Sequence, residues 1–237
     1  MTRSFLTTAL PLEVSPSGRM CPIPVSVNDR AATRAAIIEW LRSKGSTFHE
    51  RSDWGAHKHK GDMEDNWNYT MIALHHAGRS YTCSSGAEQM QQTQGDHLKK
   101  YSDIGYHYGI SCDGQIYEGR DIRFKGSSVV RYNTGVIGIV LLSNYSTAEE
   151  GGDLIAFARQ VAEKVGITTA DSIPTMQIDA VVRLIYALRS VFFIQRVGGH
   201  REFPYQVADG KICPGNIGME LVRNLRSQTH LLPPPSP

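Results

Sequence analysis

Tyr69-Thr70-Met71-Ile72-Ala73-Leu74-His75-His76 is a short apolar run that ends on two imidazoles. It is too short for an ordinary helix and follows a long polar connection, residues 46–68, so it reads as a buried strand closed by His75. Successive side chains of a strand point to opposite faces, which separates His75 from His76. Further along, Tyr106, Tyr108 and Ile110 alternate, Asp113-Gly114 is a two-residue hairpin signal, and Gln115-Ile116-Tyr117-Glu118 returns. Val136-Ile137-Gly138-Ile139-Val140-Leu141-Leu142 is apolar throughout, as expected of a strand covered on both faces. Helical periodicity surrounds these strands. Asn28 or Asp29 caps a helix running to about Lys44, with Ile37, Trp40 and Leu41 on one face and Gly45 as the stop. Residues 88–100 read as a polar helix weakened by Gly95. Leu154, Phe157, Ala158, Val161 and Val165, ended by Gly166, keep the helical rhythm, and so do Ile178, Val181, Val182, Ile185 and Phe192 over 177–195. Strands with helices packed over them predict the α/β class, a central mixed β-sheet flanked by α-helices.

The 237 residues suffice for one sizeable domain plus extensions. A formal net charge of +2 is only mildly basic, whereas a nucleic-acid binder tends to show a strong, clustered Lys/Arg excess, so no nucleic acid is expected. No apolar run approaches the roughly 18 residues needed to span a membrane. The N-terminal run Phe5 to Leu10 contains two threonines, stops at Pro11 and falls short of a secretory signal core, typically about 7–15 apolar residues. Residues 1–28 read as an irregular arm, and Leu231 to Pro237, with three consecutive prolines, as a disordered tail. An even count of four cysteines permits disulfides; Cys21, Cys83 and Cys112 read first as ordinary buried or half-buried thiols, with their disulfide state left open.

Cys213 is different. It lies in Lys211-Ile212-Cys213-Pro214-Gly215, shortly after Gly198-Gly199-His200-Arg201. Together with His75 these segments offer two imidazoles and a thiolate, a good donor set for Zn²⁺, and three protein ligands leave the fourth tetrahedral position for water. Histidine and cysteine have many other uses, so residue type alone leaves a metal site as one reading among several.

The motifs around these residues narrow the choice. Arg51-Ser52-Asp53-Trp54-Gly55-Ala56, Ile72-Ala73-Leu74-His75-His76, and Asp103-Ile104-Gly105-Tyr106-His107-Tyr108 followed by Asp113-Gly114-Gln115-Ile116-Tyr117-Glu118-Gly119-Arg120 stand in this order. Tyr132-Asn133 with Ile137-Gly138-Ile139 and Ser143-Asn144 comes next, and Gly199-His200-Arg201 with Cys213-Pro214-Gly215 closes the series. Over about residues 50–225 the chain resembles the peptidoglycan recognition proteins and type 2 N-acetylmuramoyl-L-alanine amidases. That resemblance implies a zinc amidase domain over 46–228, preceded by an extension with one helix (1–45) and followed by the tail (229–237). It implies His75, His200 and Cys213 as zinc ligands and Tyr106 as the tyrosine beside the metal. Lys211 falls where phage-type amidases carry a catalytic lysine. The implied reaction is hydrolysis of the amide between the lactyl group of N-acetylmuramic acid and L-alanine, with peptidoglycan as the partner. The family also contains non-catalytic recognition proteins, which form the alternative reading.

The chain departs from the family in places. The segment from His200 to Cys213 is longer than in the recognition proteins, the paired cysteines after the first histidine are absent, and the Gly-Trp pair of some members is replaced by Asp121-Ile122. Stem-peptide preference is therefore left open. His76 and His107 are expected to be packing or hydrogen-bonded histidines; His49, His57, His59, His97 and His230 are expected to be solvated. Lack of an evident signal suggests a bacterial or phage protein, cytoplasmic before export and acting in the periplasm or cell wall. An antibacterial effector delivered into a rival, with a cognate immunity protein as inhibitor, is the expectation; a phage endolysin and a wall-recycling enzyme stand beside it.

Overall fold

The computed structural model describes residues 12–14, 20–22, 27–78, 82–150, 160 and 172–235. The decisive run forms β4 (Met71–His76), and both histidines lie inside the strand. It pairs in parallel with β7 (Val136–Leu141) on one side and β8 (Arg196–Gly199) on the other. Beyond β7 come β5 (Tyr108–Ile110), β6 (Ile116–Glu118) and β3 (Phe48–His49), giving the order β3-β6-β5-β7-β4-β8. Only the β5–β6 hairpin is antiparallel, so the sheet is mixed, as expected.

The two faces of the sheet carry different loads. Ile72 and Leu74 of β4 and Ile137, Ile139 and Leu141 of β7 point to one side. There they meet α1 (Val27–Ser43), α3 (Thr175–Arg189) and α4 (Gly215–Thr229) through Ile37, Leu41, Val181, Leu184, Val222 and Leu225. On the other side Val140 packs with Trp54, Tyr117 and Met90 of α2 (Gly86–His97), while Ala73 and Val136 pack with Phe203. α2 approaches β5 so closely that a Cβ on Gly109 would collide with the Met90 sulfur. Three helices thus pack on one face, whereas the face that carries His75 is packed by α2 and by loop residues such as Trp54 and Phe203.

Several expectations are corrected. Within residues 1–28, Leu12–Val14 (β1) and Met20–Pro22 (β2) form an antiparallel pair instead of an irregular arm. α1, the one helix of the expected extension over 1–45, contributes Ile37, Ile38 and Leu41 to the main core. β3, β8 and α4 went unpredicted. Cys83 and Cys112, whose disulfide state the sequence leaves open, are joined in a disulfide with Cα atoms 5.6 Å apart. The C-terminal residues are not a loose tail: Leu231 and Pro234 are buried, and Leu232 bridges to Arg196 of β8. The helix expected over Leu154 to Val165 lies outside the described residues.

Candidate metal centre

Three chain segments converge at the C-terminal end of β4. Alternation along β4 turns His75 to the face packed by α2 and His76 to the other, where His76 Nδ1 accepts from the Tyr145 amide at 3.1 Å. β8 runs parallel beside β4, and His200 opens the short 3₁₀ turn His200–Glu202 that follows it. Glu202 fixes that turn by accepting from the Gly199 amide at 2.9 Å and pairing with Arg226 of α4 at 2.7 Å. The Arg201 amide then donates to the Cys213 carbonyl at 2.9 Å, which brings the third segment alongside. Here two glycines are required sterically. A Cβ on Gly199 would strike Met219 and Pro214, and Gly215, at φ +84°, lies against the Tyr145 carbonyl where no side chain fits. Glu150, itself buried, accepts from the Asn216 amide at the start of α4 and pairs with Arg201 at 3.1 Å. A carboxylate at a helix N-terminus is electrostatically favoured.

The result is that the donor atoms of His75, His200 and Cys213 all lie within 4.8 Å of one another. The His75 and His200 rings are 4.5 Å apart, centroid to centroid. Cys213 Sγ lies 3.6 Å from His75 Nδ1. A tetrahedral zinc with Zn–S of about 2.3 Å and Zn–N of about 2.0–2.1 Å would hold sulfur and nitrogen about 3.6 Å apart, so the spacing fits that ion. His75 Nε2 is buried and hydrogen-bonds to nothing among the described residues. Burial holds His75 well below the ordinary histidine range, helped by the nearby His200, His76 and His97. Burial likewise brings His200 down to about 4, against a hydrogen bond to Gln206 Oε1 that raises it. Both imidazoles are thus neutral, the form that binds metal. The Cys213 thiol is pushed up to about 12, again by burial, so a thiolate there calls for a cation in contact. The donor set, the spacing and the burial all fit a bound zinc.

Tyr106 flanks this centre, its ring 4.8 Å from that of His75. Lys211 is exposed, two residues before Cys213, and its charge is close enough to lower the His200 proton affinity. The structure therefore brings His75, His200, Cys213 and Tyr106 together, while Lys211 is exposed on the segment that leads into Cys213. His97, expected to be solvated, is instead half-buried on α2, 5.3 Å from the Tyr106 ring, and its Nδ1 accepts from the Gly105 amide at 2.8 Å. His107 is buried, accepting from the Gly138 amide through Nδ1 and facing Tyr69 Oη and the Phe124 carbonyl through Nε2. Glu118 and Arg120 act as sheet anchors: Glu118 pairs with Arg34 of α1, and Arg120 donates to the Ile104, Asp103 and Lys125 carbonyls.

Comparison with known proteins agrees with this fold. The chain is 34% identical over 110 residues to peptidoglycan-recognition protein SC2 of Drosophila melanogaster, a match covering 44% of this chain and 58% of that protein. The chain therefore spans less than two thirds of this curated relative. A variant of Drosophila PGRP-LB in complex with tracheal cytotoxin superposes with a TM-score of 0.56 at 27% identity, over 78% of this chain and 96% of that one. The N-acetylmuramoyl-L-alanine amidase LysC from Clostridium intestinale URNW shares the fold, with a TM-score of 0.56 at 20% identity, over 78% of this chain and 99% of that one. A family model described as N-acetylmuramoyl-L-alanine amidase matches residues 64–216, from the loop before β4 to the start of α4. That match takes in β4, the β5–β6 hairpin, β7, β8 and all three converging donors, and on it the chain belongs to the N-acetylmuramoyl-L-alanine amidase family.

Proposed function

We propose that this protein is a zinc-dependent N-acetylmuramoyl-L-alanine amidase that hydrolyses the bond between the lactyl group and L-alanine of peptidoglycan. The observation that carries the proposal is the convergence of His75, His200 and Cys213 on one sheet face, with the Tyr106 ring beside them; Lys211 lies two residues before Cys213. His75, His200 and Cys213 would hold the ion. When bound, zinc supplies a Lewis acid that polarises the amide carbonyl and acidifies water toward neutral pH. The chain's own residues supply the rest. The Tyr106 hydroxyl would donate to the oxygen that gains charge as water adds to the carbonyl carbon. Lys211 would deliver the proton that the nitrogen of L-alanine needs as the C–N bond breaks.

The same reading places the enzyme's work outside the cytoplasm, where the Cys83–Cys112 disulfide would persist. As an antibacterial effector it would need a cognate inhibitor in the producing cell. Toxicity on periplasmic but not cytoplasmic expression is expected; no toxicity in either compartment would argue against that role. For the activity itself, purified sacculi are digested and the products identified by mass spectrometry. Free stem peptides are expected with zinc, and none after chelation. Wall binding without metal content or stem-peptide release would instead identify a recognition module, the second function found among proteins of this fold.

A further inference from the structure

The loop between His200 and Cys213 carries a glutamine whose surroundings leave it one orientation. Gln206 is fully buried. Its amide nitrogen donates to the Val130 carbonyl at 2.8 Å and to the Pro204 carbonyl at 3.0 Å. Both N–H groups are thereby used on acceptors, and a flipped amide would set its oxygen against two carbonyl oxygens. Oε1 must therefore face the third neighbour, His200 Nε2, at 3.0 Å. An amide oxygen only accepts, so Nε2 must carry the ring proton and Nδ1 is left with its lone pair. The loop is clamped from outside as well, by Arg131, which pairs with Asp209 at 2.9 Å and lies over the Tyr205 ring at 5.0 Å.

We infer that Gln206 is a positioning residue of the metal centre: it fixes the tautomer and orientation of His200 so that Nδ1 is presented to the ion. The inference rests on the zinc reading of the site. Partners of this kind hold the ring before the ion arrives, and their loss typically costs about 10–100-fold in metal affinity.

Two measurements on the full chain test it. The first is the ¹⁵N spectrum of the histidines in metal-free protein, with His200 assigned through His200→Gln. The expected signature is the Nε2–H tautomer in wild type, mixed with its counterpart in Gln206→Met, which keeps the bulk but removes the acceptor. An Nδ1–H tautomer in wild type would overturn the inference, whatever the fate of zinc. The second is zinc affinity by chelator competition for wild type, Gln206→Met and Arg131→Ala. The last variant loosens the clamp without touching His200. A loss of about tenfold or more in Gln206→Met, with Arg131→Ala within twofold of wild type, supports the role. Equal losses in both variants, or no loss in Gln206→Met, overturn it. Failure of wild type itself to bind zinc would overturn the zinc reading instead, and the tautomer measurement would still decide the hydrogen bond.

Discussion

Burial lowers the proton affinity of His75 and His200 and raises that of Cys213, so removal of water alone prepares two ligands and leaves the third dependent on the ion. Tyr106 is half-buried and Lys211 exposed, and their proposed roles should separate from metal binding. Tyr106→Phe removes one donor to the developing oxyanion and is expected to lower kcat about 10²–10³-fold. Lys211→Ala should cost about 10²–10⁴-fold through lost proton transfer. Zinc content, read by elemental analysis, should stay at wild-type level in both; loss of zinc would reassign either residue to the metal site. His107 makes a prediction of a different kind. Burial brings it down to about 4, so between the unfolded value of 6.5 and that level the unfolded chain binds the extra proton. Stability therefore falls as pH drops through this window and is unaffected above it, by about 2 kcal/mol at pH 5 for this one group. Urea unfolding of metal-free protein at pH 7 and pH 5 should show that loss, and His107→Gln should reduce it; an unchanged pH dependence in His107→Gln would refute the assignment. The proposed donor set was legible because each of His75, His200 and Cys213 sits in a motif and Zn²⁺ chemistry selects His and Cys. Gln206 and His97 were not, since a polar residue in a polar stretch carries no sign of the partner that buries it.

At the scale of elements, long apolar or alternating runs announced themselves: β4, β7 and the β5–β6 hairpin lie where periodicity puts them, within two residues. β3 is two residues long and β8 is half glycine, so neither has a period to read. α4 did carry one, in Ile217, Leu221 and Leu225, but it begins directly at the Cys213-Pro214-Gly215 motif and was masked by it. The Cys83–Cys112 bridge was invisible because pairing depends on β5 running parallel to β7, which brings the end of β5 beside the segment that follows β4. It closes a separation of 29 residues, for which the chain-entropy relation gives an upper value of about 3–4 kcal/mol. Cys83→Ser should accordingly lower the midpoint of urea unfolding, and reductant should do the same to wild type. Reductant should leave the Cys83→Ser, Cys112→Ser double variant unchanged. A wild-type midpoint indifferent to reductant would show that the bridge contributes nothing to stability.

At the scale of the whole molecule, the mixed sheet with helices on its faces follows from the alternation of apolar runs, whereas the fate of the C-terminal residues does not follow from their composition. Three consecutive prolines supply no backbone donor and no period, so what holds them is the residue before them and the acceptors they offer. The Val197 amide donates to the Leu232 carbonyl and the Leu232 amide to the Gln195 carbonyl, each at 2.9 Å. Arg196 reaches the Pro233 carbonyl at 2.6 Å, and Pro234 lies on Gly198, where any side chain larger than hydrogen would exclude it. These residues cover the outer edge of β8, the strand that delivers His200, and so guard an otherwise open edge. Ending the chain at His230 should remove the buried Leu231, worth about 2 kcal/mol, and two backbone hydrogen bonds worth about 1 kcal/mol each. A loss of about 4 kcal/mol in urea unfolding is expected, with weaker zinc retention as β8 loosens. Leu232→Ala alters only an exposed side chain and keeps the backbone bonds, so it should change stability by less than about 0.5 kcal/mol. If the shortened chain matched wild type in both stability and zinc retention, the C-terminal strap would have no part in holding His200.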